Sequence, residues 1–171
     1  MRQSIVTRPA GPEDSADIQA LHMRAFGPGR FARTAYRLRE GTPEFSAYCR
    51  VCRIGGRLVA AVRFTPITIG GRGGALLLGP LAVDPAFANQ GHGRGLVGIA
   101  LEAARETGIA LVLLVGDPPY YARLGFGPVP RGQILLPGPV DPDRLLAVEL
   151  VSGALAGYRG PVAADRAPPG S

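Results

Sequence analysis

Lysine and tryptophan are absent from the 171 residues, and cysteine occurs only at positions 49 and 52. All 19 basic residues are therefore arginine, which excludes a Schiff-base lysine and a phosphate loop of the GxxxxGK[ST] type. Long apolar runs are lacking too. The longest, Ala75 to Val83 and Ile109 to Val115, fall far short of the roughly 18 residues that a membrane helix needs. The opening Met1-Arg2-Gln3-Ser4-Ile5 has no signal-peptide apolar core. The expectation is a soluble, cytoplasmic protein with no membrane partner.

Charge is sparse, at 19% of residues, and tilts to a net +6. In a chain with 25 Gly and 17 Pro, an all-arginine excess reads as compositional bias with some local need for Arg near a phosphorylated ligand. A nucleic-acid partner is not expected. Cys49 and Cys52 form a C-x-x-C, yet Ser46 to Ile54 reads as a strand, in which residues three apart point to opposite faces. With His22 and His92 as the sole histidines, neither a redox pair nor a metal site is expected.

What is present suits one globular domain: 46% of residues are hydrophobic, enough for a single core. The domain is expected to cover residues 1–160. Residues 161–171, small, polar and Pro-rich, read as a mobile tail. Ile5 to Arg8 predicts a first strand. Gly11-Pro12-Glu13-Asp14 starts a helix, with Pro and two acids in its first turn. Ile18, Leu21, His22, Ala25 and Phe26 follow at helical spacing, with His22 on the packed face or its border. Arg30 to Glu40 predicts a second helix with Arg30, Arg33 and Arg37 as a basic stripe, read first as solvated and second as a wall of a substrate site.

Strands at Ser46 to Ile54 and Arg57 to Thr68 flank Gly55-Gly56, a two-residue hairpin signal, and Gly70 to Gly74 turn the chain again. Ala75 to Val83 is nearly continuously apolar, as in a strand covered on both faces. A Gly-rich loop follows, then a helix from about Gly93 to Thr107 with Leu96, Val97, Ala100, Leu101 and Ala104 on one side, and a second apolar run to Val115. This β-loop-α-β unit predicts two parallel neighbouring strands with a site at their carboxyl ends. A short helix through Tyr120, Tyr121 and Leu124 and a strand at Leu145 to Val151 complete the reading.

The chemistry concentrates in Gln90-Gly91-His92-Gly93-Arg94-Gly95, where the loop enters the helix. Glycines there let backbone N–H groups and the positive helix end cradle a phosphate without a charged side chain. The same stretch also reads as Gly93-x-Gly95-x-x-Gly98, a dinucleotide fingerprint, with Asp117 about 20 residues on. That alternative, an NAD(P)-binding oxidoreductase, is disfavoured because Asp84 to Asn89 separate the strand from the first glycine.

Gln90-x-x-Gly93-x-Gly95, after a strand ending Leu81-Ala82-Val83-Asp84-Pro85, resembles the Q/R-x-x-G-x-G/A pyrophosphate motif of the GNAT superfamily of acyl-CoA N-acyltransferases. Tyr121-Ala122-Arg123-Leu124-Gly125-Phe126 is similar to that family's Y-x-x-L-G-F segment, and the two occur in the family's order. Gly116-Asp117-Pro118-Pro119-Tyr120-Tyr121 and Glu149 to Leu155 are similar to segments of its YhbS-like subgroup. The resemblance implies a mixed α/β fold: a mostly antiparallel sheet with one parallel, splayed strand pair, flanked by about four helices.

For function, the resemblance implies an acetyl-CoA-dependent N-acetyltransferase acting on a primary amine in a ternary complex, without a metal. The pantetheine arm would bond the backbone at Leu81, Ala82 and Val83, with Pro80 at a strand bulge. The N–H groups of Gly91 to Gly95 would take the pyrophosphate, with Gln90, His92 and Arg94 beside it. A backbone N–H at Leu81 or Ala82 would polarise the thioester carbonyl, and Tyr121 would protonate the departing thiolate, with Tyr120 as the alternative. Many family members carry a Glu base on the bulged strand; Ala75-Leu76-Leu77-Leu78-Gly79 has none, leaving water, Glu44, Asp117 or Glu149. A CoA-binding sensor without turnover is the non-enzymatic alternative. The acceptor, small amine or peptide amine, is not named by the sequence, and a homodimer through edge strands is the expected assembly.

Overall fold

The computed structural model describes residues 4–26 and 38–166. The chain runs β1 (Ile5–Pro9), α1 (Ser15–Phe26), β2 (Arg50–Ile54), β3 (Arg57–Ile69), β4 (Arg72–Val83), α2 (His92–Glu106), β5 (Leu111–Val115), α3 (Pro118–Ala122), β6 (Gly127–Pro128), β7 (Ile134–Leu135), β8 (Leu145–Glu149) and β9 (Gly160–Ala164). The main path of the sheet is β1-β2-β3-β4-β5-β8-β6, antiparallel except for β4 beside β5. The predicted second helix lies mostly outside the described residues; of Arg30 to Glu40, Leu38 and Arg39 are helical. Among the described residues no helix is long and apolar enough to cross a membrane.

The two apolar runs form strands covered on both faces, as their continuity requires. Side chains alternate between two clusters: Leu76, Leu78, Val112 and Leu114 face α2, while Ala75, Leu77, Leu111 and Leu113 face the other side. Leu96, Val97, Ala100, Leu101 and Ala104 of α2 are all buried in the first cluster. On the opposite face, Ile18 and Leu21 of α1 pack on Val51, Leu58, Ala61 and Ala82. Gly55-Gly56 turns β2 into β3 with positive φ at both positions (56° and 83°), the geometry a two-residue hairpin loop demands.

α1 is anchored by charge that its sequence pattern does not announce. Asp14, fully buried, accepts from the Gly11 N–H at 3.0 Å, from both terminal nitrogens of Arg8 at 2.8 and 2.7 Å, and from Arg53 at 3.0 Å. The Arg8 guanidinium is the main reason its carboxyl sits well below the ordinary range; burial opposes the shift, while the Gly11 amide and Arg53 reinforce it.

Two sequence expectations change. Ser46 to Cys49 form a loop, and the strand starts at Arg50. In that loop the Cys49 sulfur accepts from the Ser46 and Phe64 amides, while Cys52 points into the α2-side core; both thiols are free and buried. The tail expected from residue 161 instead begins in β9, which pairs with β3 at Ile67 to Ile69 and with β7 at Ile134 and Leu135. Val162 and neighbouring Tyr158 are buried in the second cluster, and that burial outweighs the small, polar composition. Residues 167–171 lie outside the described part.

Candidate active site

β4 carries the irregularity on which the site is built. Its register with β3 runs Val62 with Leu81 and Phe64 with Leu78, so β4 holds one residue more than β3 over this stretch. The bulge falls at Gly79-Pro80, a cis peptide. Pro80 has no N–H to place in a ladder, which suits it to a bulge. β4 pairs with β5 only at Ala75 to Leu77. Beyond it the two strands part, and Leu78 to Val83 keeps β3 on one side while its other edge opens into the gap. Every second backbone N–H and C=O of an extended strand points to such an edge.

The loop after β4 is held by Asp84, buried to 2% exposure. Its carboxylate accepts from the Ala86 N–H at 3.0 Å and from Arg57 at 2.7 Å, with Arg24 at 3.4 Å. Burial pushes this carboxyl up, and the Ala86 amide with the two guanidiniums outweighs it, so the net direction is down. Asp84-Pro85 directly after a strand is a cap signature for a short helix. A single 3-10 turn, Pro85–Phe87, follows. Arg57 also lies over the Phe87 ring.

Gly91 is the residue before α2, at φ +84°, a conformation glycine takes without steric cost. The Gly95 amide closes the first helical turn on the Gly91 carbonyl at 3.0 Å, so it is spent inside the helix. The amides of His92, Gly93 and Arg94 find no acceptor among the described residues, as the first turn of a helix leaves them. The cradle expected over Gly91 to Gly95 is thus narrower by its last member. Gln90 and His92 meet side chain to side chain at 3.2 Å, and His92 stands edge-on to Phe87.

Gly93 has no room for a side chain. A Cβ there would lie 2.7 Å from the Tyr120 hydroxyl and 3.0 Å from Val83. Tyr120 therefore reaches from α3, after β5, to the first turn of α2, after β4, and spans the gap between the parted strands. Burial pushes its hydroxyl above the ordinary phenol range, with the Arg94 guanidinium pulling weakly the other way. The Tyr121 ring packs edge-on against Phe126 and Tyr120 and fits against Gly116, where a Cβ would lie 2.6 Å from its Cε2. The Tyr121 carbonyl takes the Leu124 and Phe126 amides at 2.9 and 3.2 Å, and Gly125 at φ +89° makes that turn possible.

On the opposite face of the sheet, a small recess of about 50 Å³ lies between α1 and the bulge. Pro80, Val62 and Arg63 form its floor, and Gln19, His22 and Glu44 lie in its walls. His22 is half-buried at the border of the packed face, as its spacing predicts. Of the three acids left open as a base, Glu44 borders this recess. The Glu149 carboxylate accepts the Leu155 amide at 2.9 Å, and Asp117 is exposed at the start of α3. Among the described residues no group of three His, Cys, Asp or Glu side chains is placed to hold a metal ion.

Residues 16–126 match the acetyltransferase (GNAT) family. The chain belongs to this family. It is 34% identical over 117 residues to the uncharacterized N-acetyltransferase YhbS of Escherichia coli K12, an alignment covering 67% of this chain and 69% of that protein. It is 33% identical over 118 residues to the uncharacterized N-acetyltransferase YjhQ of the same strain, spanning 67% of this chain and 65% of the relative. The crystal structure of E. coli YhbS in complex with CoA superposes with a TM-score of 0.79 at 30% identity, over 96% of this chain and 91% of that one. A GNAT acetyltransferase from Brucella melitensis in complex with acetyl-CoA gives 0.63 at 29% identity, over 84% and 95%. The dinucleotide alternative falls with the topology: one parallel pair in an otherwise antiparallel main sheet is not the parallel sheet that reading needs.

Proposed function

We propose that this GNAT acetyltransferase moves the acetyl group of acetyl-CoA to a primary amine by direct attack, in a ternary complex formed within a single domain that runs through β9. The observation that carries this reading is the set of unsatisfied amides at His92, Gly93 and Arg94, at the mouth of the gap between β4 and β5. A helix start of this kind holds a pyrophosphate without lysine. The open edge of β4 at Leu81, Ala82 and Val83 offers backbone partners for an extended pantetheine arm. The CoA and acetyl-CoA complexes of its relatives support the choice of donor.

The bound thioester supplies an activated acetyl carbonyl, whose bond to sulfur is exchanged for one to nitrogen. The chain's residues arrange that exchange. A β4 amide at Leu81 or Ala82 donates to the carbonyl oxygen as charge gathers there. Tyr121, in the short helix α3 that follows β5, gives its proton to the leaving sulfur. The attacking amine loses its proton to Glu44, the acid bordering the recess beside the bulge. A cytoplasmic place of action goes with this reading. So does a homodimer through an edge strand: β1 ends the sheet path with Ile5 and Val6 exposed.

Calorimetry tests the donor: acetyl-CoA binds, and NAD and NADP do not. A CoA-thiol release assay over amines, amino acids, aminoglycosides and peptides then tests transfer. Binding of acetyl-CoA with no release from any acceptor makes the chain a sensor and overturns the enzyme reading. Light scattering tests the dimer, and a monomer at micromolar concentration removes it.

A further inference from the structure

A second cavity lies on the sheet face away from α2, behind the β5 wall of the gap. It measures about 240 Å³, and Val129, Ile134, Leu135, Leu136, Val140 and Leu145 give it an apolar lining. Its floor, Leu145, begins β8 directly across from Val115, the last residue of β5. Leu145 is buried in the cluster on that face and Val115 packs on the same cluster. The two side chains are therefore cross-strand neighbours, about 5 Å apart. β5 is the strand that parts from β4 beyond Leu113, so the cavity stands one strand spacing, about 5 Å, behind the wall of the gap.

Hydrogen bonds hold the cavity in shape before anything binds. The Val129 amide donates to the Leu145 carbonyl and the Gln133 amide to the Pro130 carbonyl, both at 3.2 Å. The buried Gln133 side chain donates to the Leu155 and Tyr158 carbonyls at 2.8 and 3.0 Å, and the Gln133 carbonyl takes the Gly160 amide at 2.9 Å. A segment fixed in this way loses little freedom on binding.

The lining says what the cavity takes. Leu135 leaves 52% of its surface exposed at the cavity while its neighbour Ile134 is buried, and covering such apolar surface is favourable. Among the described lining residues Arg131 alone is charged. Asp143 pairs with it at 2.9 Å, so no net charge is offered to a ligand. The volume exceeds the roughly 150 Å³ in which an apolar cavity holds benzene, which leaves room for one aromatic ring or a short alkyl chain.

We propose that this cavity holds the apolar group of the acceptor: a primary amine with one aryl or alkyl group a few bonds from its nitrogen, which reaches past Val115 into the gap. This rests on the acetyltransferase reading above and adds the acceptor's chemical class. Its readout is selectivity along a homologous series, which a purely structural role for the lining would not produce.

The experiment is CoA-thiol release with three sets of amines: n-alkylamines from propyl to octyl, phenylalkylamines from benzylamine to 4-phenylbutylamine, and aminoalcohols matched in length to the alkylamines. Each buried methylene is worth about fourfold at most. The kcat/KM should therefore rise at least about tenfold from propylamine to hexylamine, carried by KM, while the aminoalcohols stay near the propylamine value. Leu135→Asp should lower kcat/KM for hexylamine and 3-phenylpropylamine about tenfold, through KM, and Leu135→Met should restore most of it. If Leu135→Asp does not fold, the series in the wild-type protein decides alone. Equal turnover along the series, a preference that survives Leu135→Asp, or turnover confined to polar acceptors of the wider panel overturns this inference and leaves the transferase reading standing. No turnover with any acceptor, with acetyl-CoA binding intact, overturns the transferase reading itself.

Discussion

The two sides of the β4 bulge are built in different ways. Toward α2, the groups that face the gap come mostly from one stretch of chain, Leu81 to Arg94, as backbone, with the Tyr120 ring reaching in from α3. Toward α1, the recess takes side chains from α1, the loop before β2, β3 and β4, and its character lies in Arg63, Glu44 and His22. A backbone-built site depends on conformation and on the absence of side-chain atoms, so it tolerates exchange of exposed side chains and fails when a Cβ intrudes. A side-chain-built site behaves in the opposite way. It depends also on the anchors of the element that roofs it, here the Asp14 cluster beneath α1.

The strongest break of this contrast is chemical. Tyr121→Phe should lower kcat by about a hundredfold or more while leaving the calorimetric affinity for acetyl-CoA within about twofold; the same loss from Tyr120→Phe with Tyr121→Phe active would move the proton donor to the neighbouring phenol. Tyr120 stays protonated through the neutral range because its hydroxyl is shifted upward, so it adds no limb to a pH profile below about 10.

Next in size is the anchor of the side-chain-built side. Asp14→Ala should cost roughly 3 kcal/mol, seen as a lower melting temperature, since it leaves Arg8 and Arg53 facing an emptied, buried position. The sign with pH follows from the depressed carboxyl. Its stabilisation is complete above the unfolded value of about 4 and is lost as pH falls below that through the lower native value. Wild-type melting temperature should therefore drop below about pH 4, and Asp14→Asn should flatten that drop; equal acid slopes for both proteins would remove Asp14 as the cause.

On the backbone-built side, Gly93→Ala should weaken acetyl-CoA binding by about tenfold, because its Cβ meets Tyr120 and Val83 at the cradle. His92→Ala, which removes a half-exposed ring paired to Gln90, should change the same affinity by about twofold or less. Reversal of these two magnitudes would show that side chains, and not main-chain amides, hold the donor.

Much of the donor side was legible because its signals are local. Alternating burial wrote the two covered strands, helical spacing wrote the buried face of α2, and glycines at positions 91 and 93 marked where the backbone must be bare. The Gly95 amide is taken up by the Gly91 carbonyl within the helix, which motif spacing does not show. Less of the α1 side could be read. Arg53 lies 39 residues from Asp14, with no pattern joining it to the Arg8 and Asp14 pair. Pro161 to Ala164 looks like part of a tail until β3 and β7 are beside it.

Sequence alone determined the β-loop-α-β unit, the glycine hairpins, the bare helix start and the family, because periodicity, turn chemistry and motif spacing act between near neighbours. Tertiary structure alone decided that Tyr120 reaches the start of α2 and that Glu44 borders the recess. Those outcomes depend on strand register and on the path of loops, and a one-residue change in register would turn every side chain of a strand to the other face.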